Sequence, residues 1–151
     1  MADLQALENW LTPLLQRLEP AARRTLARDL AQQLRRSQQQ RIGAQRNTDG
    51  STYAPRKQPA LRDKRGRVRN KAKMFRKLRT TTHLKARGDA TSATVGFAGR
   101  VARIAKVHQR GLRDRPRPGS PAVKYPRREL LGLTERDVEI IRNTLLDALA
   151  V

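Results

Sequence analysis

The sequence predicts an α+β fold: N-terminal helices, a small antiparallel sheet with a packed short helix, and a C-terminal helix. Three observations predict it. Leucines recur at helical spacing through the first 42 residues, and an apolar helical pattern returns after Thr134. Two runs rich in Thr, Ala and Val, 80–87 and 91–98, flank Gly88-Asp89 and suit an antiparallel hairpin with a two-residue connection. After Gly99 the apolar period becomes helical, and Gly111 stands where a left-handed residue would end that helix. A chain of 151 residues suits one domain over 1–151. We divide it into N-terminal helices (1–44), a basic loop or arm (45–79), a sheet-containing core (80–133) and a C-terminal helix (134–151).

Taken in order, Leu4, Leu7, Leu11, Leu14, Leu15 and Leu18 form the first stripe, with Trp10 beside it and Asp3 as a candidate cap. Pro13 lacks a backbone donor, so it should kink this helix or begin a new one after Thr12, a good N-cap. Pro20 suits the first turn of a longer helix reaching about Ile42, along which Leu26, Leu30 and Leu34 recur. One apolar stripe on a rod covered by arginine and glutamine belongs to a helix packed on one side. It serves either a helical hairpin of the chain's own core or an oligomer contact.

Asn47, Asp49 and Gly50 predict a turn. From 51 to 73 no apolar period exists, and LRDKRGRVRNKAK holds seven basic residues in thirteen. That stretch reads as an arm or long loop, serving either solubility or contact with phosphate or an acidic partner. Residues 74–79 suit a helical turn. Val101, Ile104, Ala105 and His108 share one face of the short helix, with Arg100, Arg103, Lys106 and Arg110 pointing elsewhere. The stretch RDRPRPGSP (113–121) can be neither helix nor central strand, with three prolines in nine positions. Residues 122–125 suit a short strand joining the 80–98 sheet. Thr134 with Asp137 resembles a capping box, and Val138, Ile141, Leu145 and Leu149, flanked by Ile140 and Leu146, give the last helix its apolar face.

Composition bounds the function. Leu, Ile, Val and Phe number 32, about a fifth of the chain, against a net charge of +21. Such a chain offers a modest core and stretches that order against a partner. The charge is uneven: +3 over 1–42, +11 over 43–79, +10 over 80–128 and −3 over 129–151. A self-repelling middle calls for an acidic neighbour, either nucleic acid or protein. With no cysteine, disulfides and thiolate metal sites are excluded. The N-terminus lacks a signal-peptide pattern and no apolar run is long enough to span a membrane, so synthesis in the cytoplasm without a membrane partner is expected.

Catalytic, metal and cofactor residues are expected to be none. Between residues 50 and 128 the only acids are Asp63, Asp89 and Asp114, too few for two-metal chemistry. His83 and His108 stand alone, without a glycine-rich phosphate loop or a nucleophile elbow. The basic middle would bind phosphate electrostatically, but only Phe75 and Phe97 are available for stacking, so such binding would be non-specific and salt-labile. Arg62, Lys64, Arg65, Arg67, Arg69, Lys71 and Lys73 are the candidate contacts to a partner or to DNA.

Four strings carry a resemblance: DGSTYAPRK (49–57), KMFRKLR (73–79), VGFAGRVARIAKVHQRG (95–111) and YPRRELLGLTERD (125–137). In this order and spacing they resemble the phage virion morphogenesis family, and within it the tail completion protein S group of contractile-tailed bacteriophages. The N-terminal LQALENWLTPLL and the stretch from LEPAARR to QQQRI resemble that group too, so the likeness covers nearly the whole chain. The family signature falls on Asp49, Gly50, Pro55, Arg56, His108, Gln109, Gly111, Tyr125, Pro126, Arg128, Leu131 and Gly132. Arg127 stands where the family often has a small residue.

The resemblance implies a structural virion protein that completes the head-proximal end of a tail and enables head–tail joining. It implies a late protein located in the virion at the tail or neck, and in the host cytoplasm during assembly. The implied partners are the protein itself, as a hexameric ring, and the tail tube or the tail terminator and neck proteins. Non-specific contact with DNA in the channel is compatible with the basic arm. The rival reading is a non-specific nucleic-acid-binding architectural protein.

Overall fold

A computed structural model describes residues 4–56 and 73–150. Among the described residues, four helices and two small antiparallel ribbons make an α+β fold, as the patterning predicts. Helix α1 (Leu4–Leu15) leads into the long α2 (Pro20–Gly43), whose first turn accepts Pro20 because no backbone donor is needed there. At 24 residues, α2 is about 36 Å long and forms the spine. Pro13 lies inside α1 and no new helix starts after Thr12. The Thr12 hydroxyl does not cap; it donates back to the Glu8 carbonyl at 2.7 Å, and the helix ends two residues past the proline. The candidate cap Asp3 lies outside the described residues.

Strands β1 (Leu84–Gly88) and β2 (Ala93–Phe97) pair from Leu84 opposite Phe97 to Gly88 opposite Ala93, and β1 lies along α2. The approach is closest at Gly88, where an added Cβ would sit 2.4 Å from the Arg28 backbone nitrogen. Gly88 is therefore spent on packing inside the strand, and the connection is 89–92 rather than Gly88-Asp89. There the Asp89 carboxylate accepts from the backbone N–H groups of Thr91 (2.8 Å) and Ser92 (2.7 Å). The strands are also shorter than the runs that predict them. Residues 80–83 turn instead, with Leu84 N–H donating to the Thr80 carbonyl at 2.8 Å.

Helix α3 (Val101–Arg110) follows β2 and packs on it; Gly111 ends it at φ 64°, ψ 51°. Its buried residues are Ala105 and Val107, whereas Ile104, expected on the core face, is 44% exposed. Residues 122–125 do not join the 80–98 sheet. Val123–Lys124 (β4) pairs with Arg113–Asp114 (β3) in a separate ribbon, continued by Tyr125 N–H to the Leu112 carbonyl. Pro121 and Pro126 bracket β4 and limit it to a stub, whose nearest extended neighbour is the chain just before the proline loop.

Helix α4 (Glu135–Leu149) opens with the expected capping box, Thr134 accepting from Asp137 N–H and Asp137 accepting from Thr134 N–H. It packs on α2, with α1 against it, and these helices bury Leu11, Leu30, Val138 and Leu145. Asp137 is fully buried and also takes hydrogen bonds from Ser37 and Gln38 of α2. The main core sits at the other end of α2, where Ile42, Tyr53, Met74, Leu78, Ala105 and Leu130 cluster.

Candidate functional site

The chain that crosses this core end, 125–132, forms neither helix nor strand, so its backbone needs partners from side chains. Gln109, at the end of α3, supplies three of them. Its Oε1 accepts from the N–H groups of Leu130 (2.8 Å) and Leu131 (2.9 Å), and its Nε2 donates to the Leu131 carbonyl at 2.8 Å. One primary amide thus imitates a neighbouring strand. From the other side, Arg41 of α2 donates to the carbonyls of Glu129 (2.7 Å) and Leu130 (2.9 Å). Tyr53 Oη donates to the same Glu129 carbonyl, and Asn47 Oδ1 accepts from Glu129 N–H. Gly132 N–H reaches Gln38 Oε1, and Arg128 N–H reaches the His108 carbonyl.

Arg128 is the centre of this knot and is only 4% exposed. Its guanidinium meets neutral acceptors: Nε donates to the Ala54 carbonyl at 2.7 Å and Nη2 to the Pro55 carbonyl at 2.9 Å. Nη1 lies 3.3 Å from His108 Nδ1, so that nitrogen is the acceptor and the ring is neutral. Burial first and the Arg128 charge second push the His108 pKa down to about 4. Burial, followed by Arg56, also holds Arg128 below its ordinary value. The His108 ring stands edge-to-face between Phe75 (4.9 Å) and Tyr125 (5.0 Å), and Phe75 meets Tyr53 in the same way at 5.8 Å. Phe75 adopts φ 66°, a left-handed conformation costing on the order of 1–3 kcal/mol for a bulky residue. The surrounding rings and the Gln45 amide, which bonds both Met74 N–H and C=O, hold it there.

Outside the knot lies a groove of about 780 Å³ between the 73–78 turn, α3 and the β3–β4 ribbon. Phe75, Ile104, Val123 and Tyr125 are among the residues that make its walls apolar, while the exposed cations Arg56, Lys73, Arg76, Lys77 and Lys124 stand around it. Asp114 beside it is held by Arg103 at 2.9 Å, the one ion pair among the described residues. The site offers shape and positive charge. Among the described residues no three His, Asp or Glu side chains gather to hold a metal.

Of the candidate contact residues, Arg62, Lys64, Arg65, Arg67, Arg69 and Lys71 lie outside the described residues, and Lys73 is exposed at the groove. Seven of the twelve positions expected from the resemblance meet in the knot. His108, Gln109, Arg128, Leu131 and Gly132 hydrogen-bond within it, Pro55 receives Arg128, and Tyr125 closes on His108. Gly111 combines positive φ with closeness, since an added Cβ would lie 3.1 Å from Arg127 N. Asp49 and Gly50 shape the 47–51 turn, where bonds from the Ser51 hydroxyl and N–H hold the Asp49 carboxyl below its ordinary pKa. Arg56 and Pro126 border the groove, and Arg127 is exposed.

Sequence reasoning missed Tyr53, which is buried to 3% exposure within the stretch read as a basic loop. It also missed Gln38, Arg41 and Glu129. A lone aromatic among charged residues was the available signal for Tyr53; the other three look like ordinary surface residues in a one-dimensional reading.

Residues 2–150 match the model of the phage virion morphogenesis family. The chain is similar to the Tail completion protein S of Escherichia phage P2, at 43% identity over 147 residues, covering 97% of each chain. No solved structure matches it significantly. With a family match spanning nearly its whole length and a relative 43% identical over 97% of each chain, the chain belongs to the phage virion morphogenesis family.

Proposed function

We propose that this protein is a non-catalytic structural subunit that completes the head-proximal end of a bacteriophage tail and enables head–tail joining as a homo-oligomeric ring. The observation that carries the reading is the end-to-end similarity to a relative named for tail completion. Physical support comes from the modest core: apolar side chains remain exposed at both ends of the spine, Trp10 and Leu4 at one and Ile104 at the other. A subunit that finishes its burial against neighbours has this character. The partners are then further copies of the chain and the tail tube, tail terminator or neck proteins, with the basic segment facing acidic protein or DNA.

The test is disruption of the gene in a phage that carries it, with the lysate examined by electron microscopy. Filled heads and tails should accumulate unjoined, and adding purified protein should join them. Normal yields of joined, infectious particles would overturn the reading. The net charge of +21 favours a second reading, a non-specific DNA-binding protein. Salt-labile DNA binding by a protein whose loss leaves heads and tails joined would favour that alternative.

A further inference from the structure

We infer that the groove beside the knot receives helix α1 of a second copy of this chain, making a head-to-tail contact. The inference rests on the ring reading above and names the surfaces that would build it.

Helix α1 carries two stripes. Leu11 and Leu15 mark one, and Leu11 is buried to 2% exposure. Leu7, Trp10 and Leu14, at i, i+3 and i+7, mark the other. On this second stripe Leu7 and Leu14 are half-buried, whereas Trp10 is 55% exposed. A tryptophan so exposed on an amphipathic helix is an anchor without a pocket. The groove is a pocket without an anchor, with Ile104 uncovered in its wall although helical spacing places that residue with the core.

Charge selects the occupant. Residues 1–16 are the longest stretch of the chain without Lys or Arg, and they carry Asp3 and Glu8. The groove is bordered by Arg56, Lys73, Arg76, Lys77 and Lys124. Residues 57–72 carry seven basic side chains and one acid, a charge that matches the groove's rim rather than complementing it.

Distance makes the contact intermolecular. Helix α1 joins the N-terminal end of α2, whereas Met74 and Leu78 of the groove cluster with Ile42 near its C-terminal end. The spine between them is about 36 Å long, so α1 cannot reach its own groove while it remains packed on α4. A patch and a complementary groove at opposite ends of one subunit form a heterologous contact, the kind that builds a ring when the rotation between subunits closes.

The experiment uses the full-length protein, whose single tryptophan and lack of cysteine give two clean readouts. Mass is measured against concentration alongside Trp10 emission. Glu8→Cys and Lys124→Cys chains are also mixed and oxidised. The inference expects assembly with blue-shifted emission, and a disulfide that appears in the mixture but in neither variant alone. Ile104→Asp, at an exposed site, should keep the monomer's circular dichroism while weakening assembly by at least ~10-fold. Assembly with unchanged emission and no cross-link would overturn the α1 contact and leave the ring reading standing. Failure to assemble at any concentration, alone or with tails, would overturn both. A blue shift that requires tails, without the Glu8–Lys124 cross-link, would assign α1 to a tail protein and overturn the contact. A monomeric Lys124→Cys/Val68→Cys chain that closes on itself, with no mixed cross-link, would assign the groove to the chain's own loop and overturn it as well.

Discussion

The two ends of α2 solve the same problem differently. At the C-terminal end an irregular strap, a buried guanidinium and a ring cluster hold one another, and Leu130 is fully buried among them. At the N-terminal end α1 reaches α4 through a narrow seam and leaves a tryptophan in water. One end ties its strap down with hydrogen bonds and keeps only Ile104 and the groove open on its outer side, while the other leaves its tryptophan uncovered. A densely hydrogen-bonded region resists change, while a region with uncovered apolar surface is available for assembly.

The contrast can be broken by mutation, starting with the largest effect. Leu130→Ala should lose about 4 kcal/mol, because the knot cannot collapse into the space left behind, whereas Leu11→Ala should lose about 2 kcal/mol at its more open site. Urea unfolding of the two variants measures the difference, and equal losses would erase the distinction between the ends. Gln109→Ala removes the acceptor for two buried N–H groups and the donor to one carbonyl, and should cost about 2–3 kcal/mol. Gln109→Glu should not rescue it fully, since the donor to Leu131 is lost.

The pH response sharpens the same point. His108 has a folded pKa of about 4, below its ordinary 6.5. The unfolded chain therefore binds the proton first, so this contribution is complete above pH 6.5 and is lost as pH falls toward 4. Solvent screening at this half-buried ring cuts the roughly 3.4 kcal/mol of the full shift to something on the order of 2 kcal/mol, read as the difference in pH dependence between the wild type and His108→Gln. Identical slopes over that window would mean that His108 is not held neutral by the knot. The smallest effect belongs to the open end. Trp10→Ala should change monomer stability by less than about 0.5 kcal/mol, and a larger loss would mean that the indole packs within its own subunit.

Legibility followed locality. Pro20 at the first turn of α2, the left-handed stop at Gly111 and the Thr134–Asp137 box were all readable because each depends on residues within one or two turns. The signature positions were visible as strings through resemblance, yet their meeting in space was not. Gln109 and Arg128 come together with Pro55 from three separate segments. Gly88 shows the reverse error: a turn former by local chemistry, it is consumed by contact with the α2 backbone.

What the sequence by itself determined, then, is the set of elements that local hydrogen bonding and apolar period can specify: the helices, the stop of α3 and the capping box of α4, the hairpin's existence and the concentration of positive charge in the middle of the chain. Tertiary structure alone decided which strand stub pairs with which, that Tyr53 and Arg128 are buried, and that Ile104 is not. The reason is physical. Caps and periodic faces lower free energy through neighbours a few residues away, whereas a buried polar group is tolerable only where distant carbonyls and amides happen to converge. That convergence is a property of the packed chain, and no window of sequence contains it.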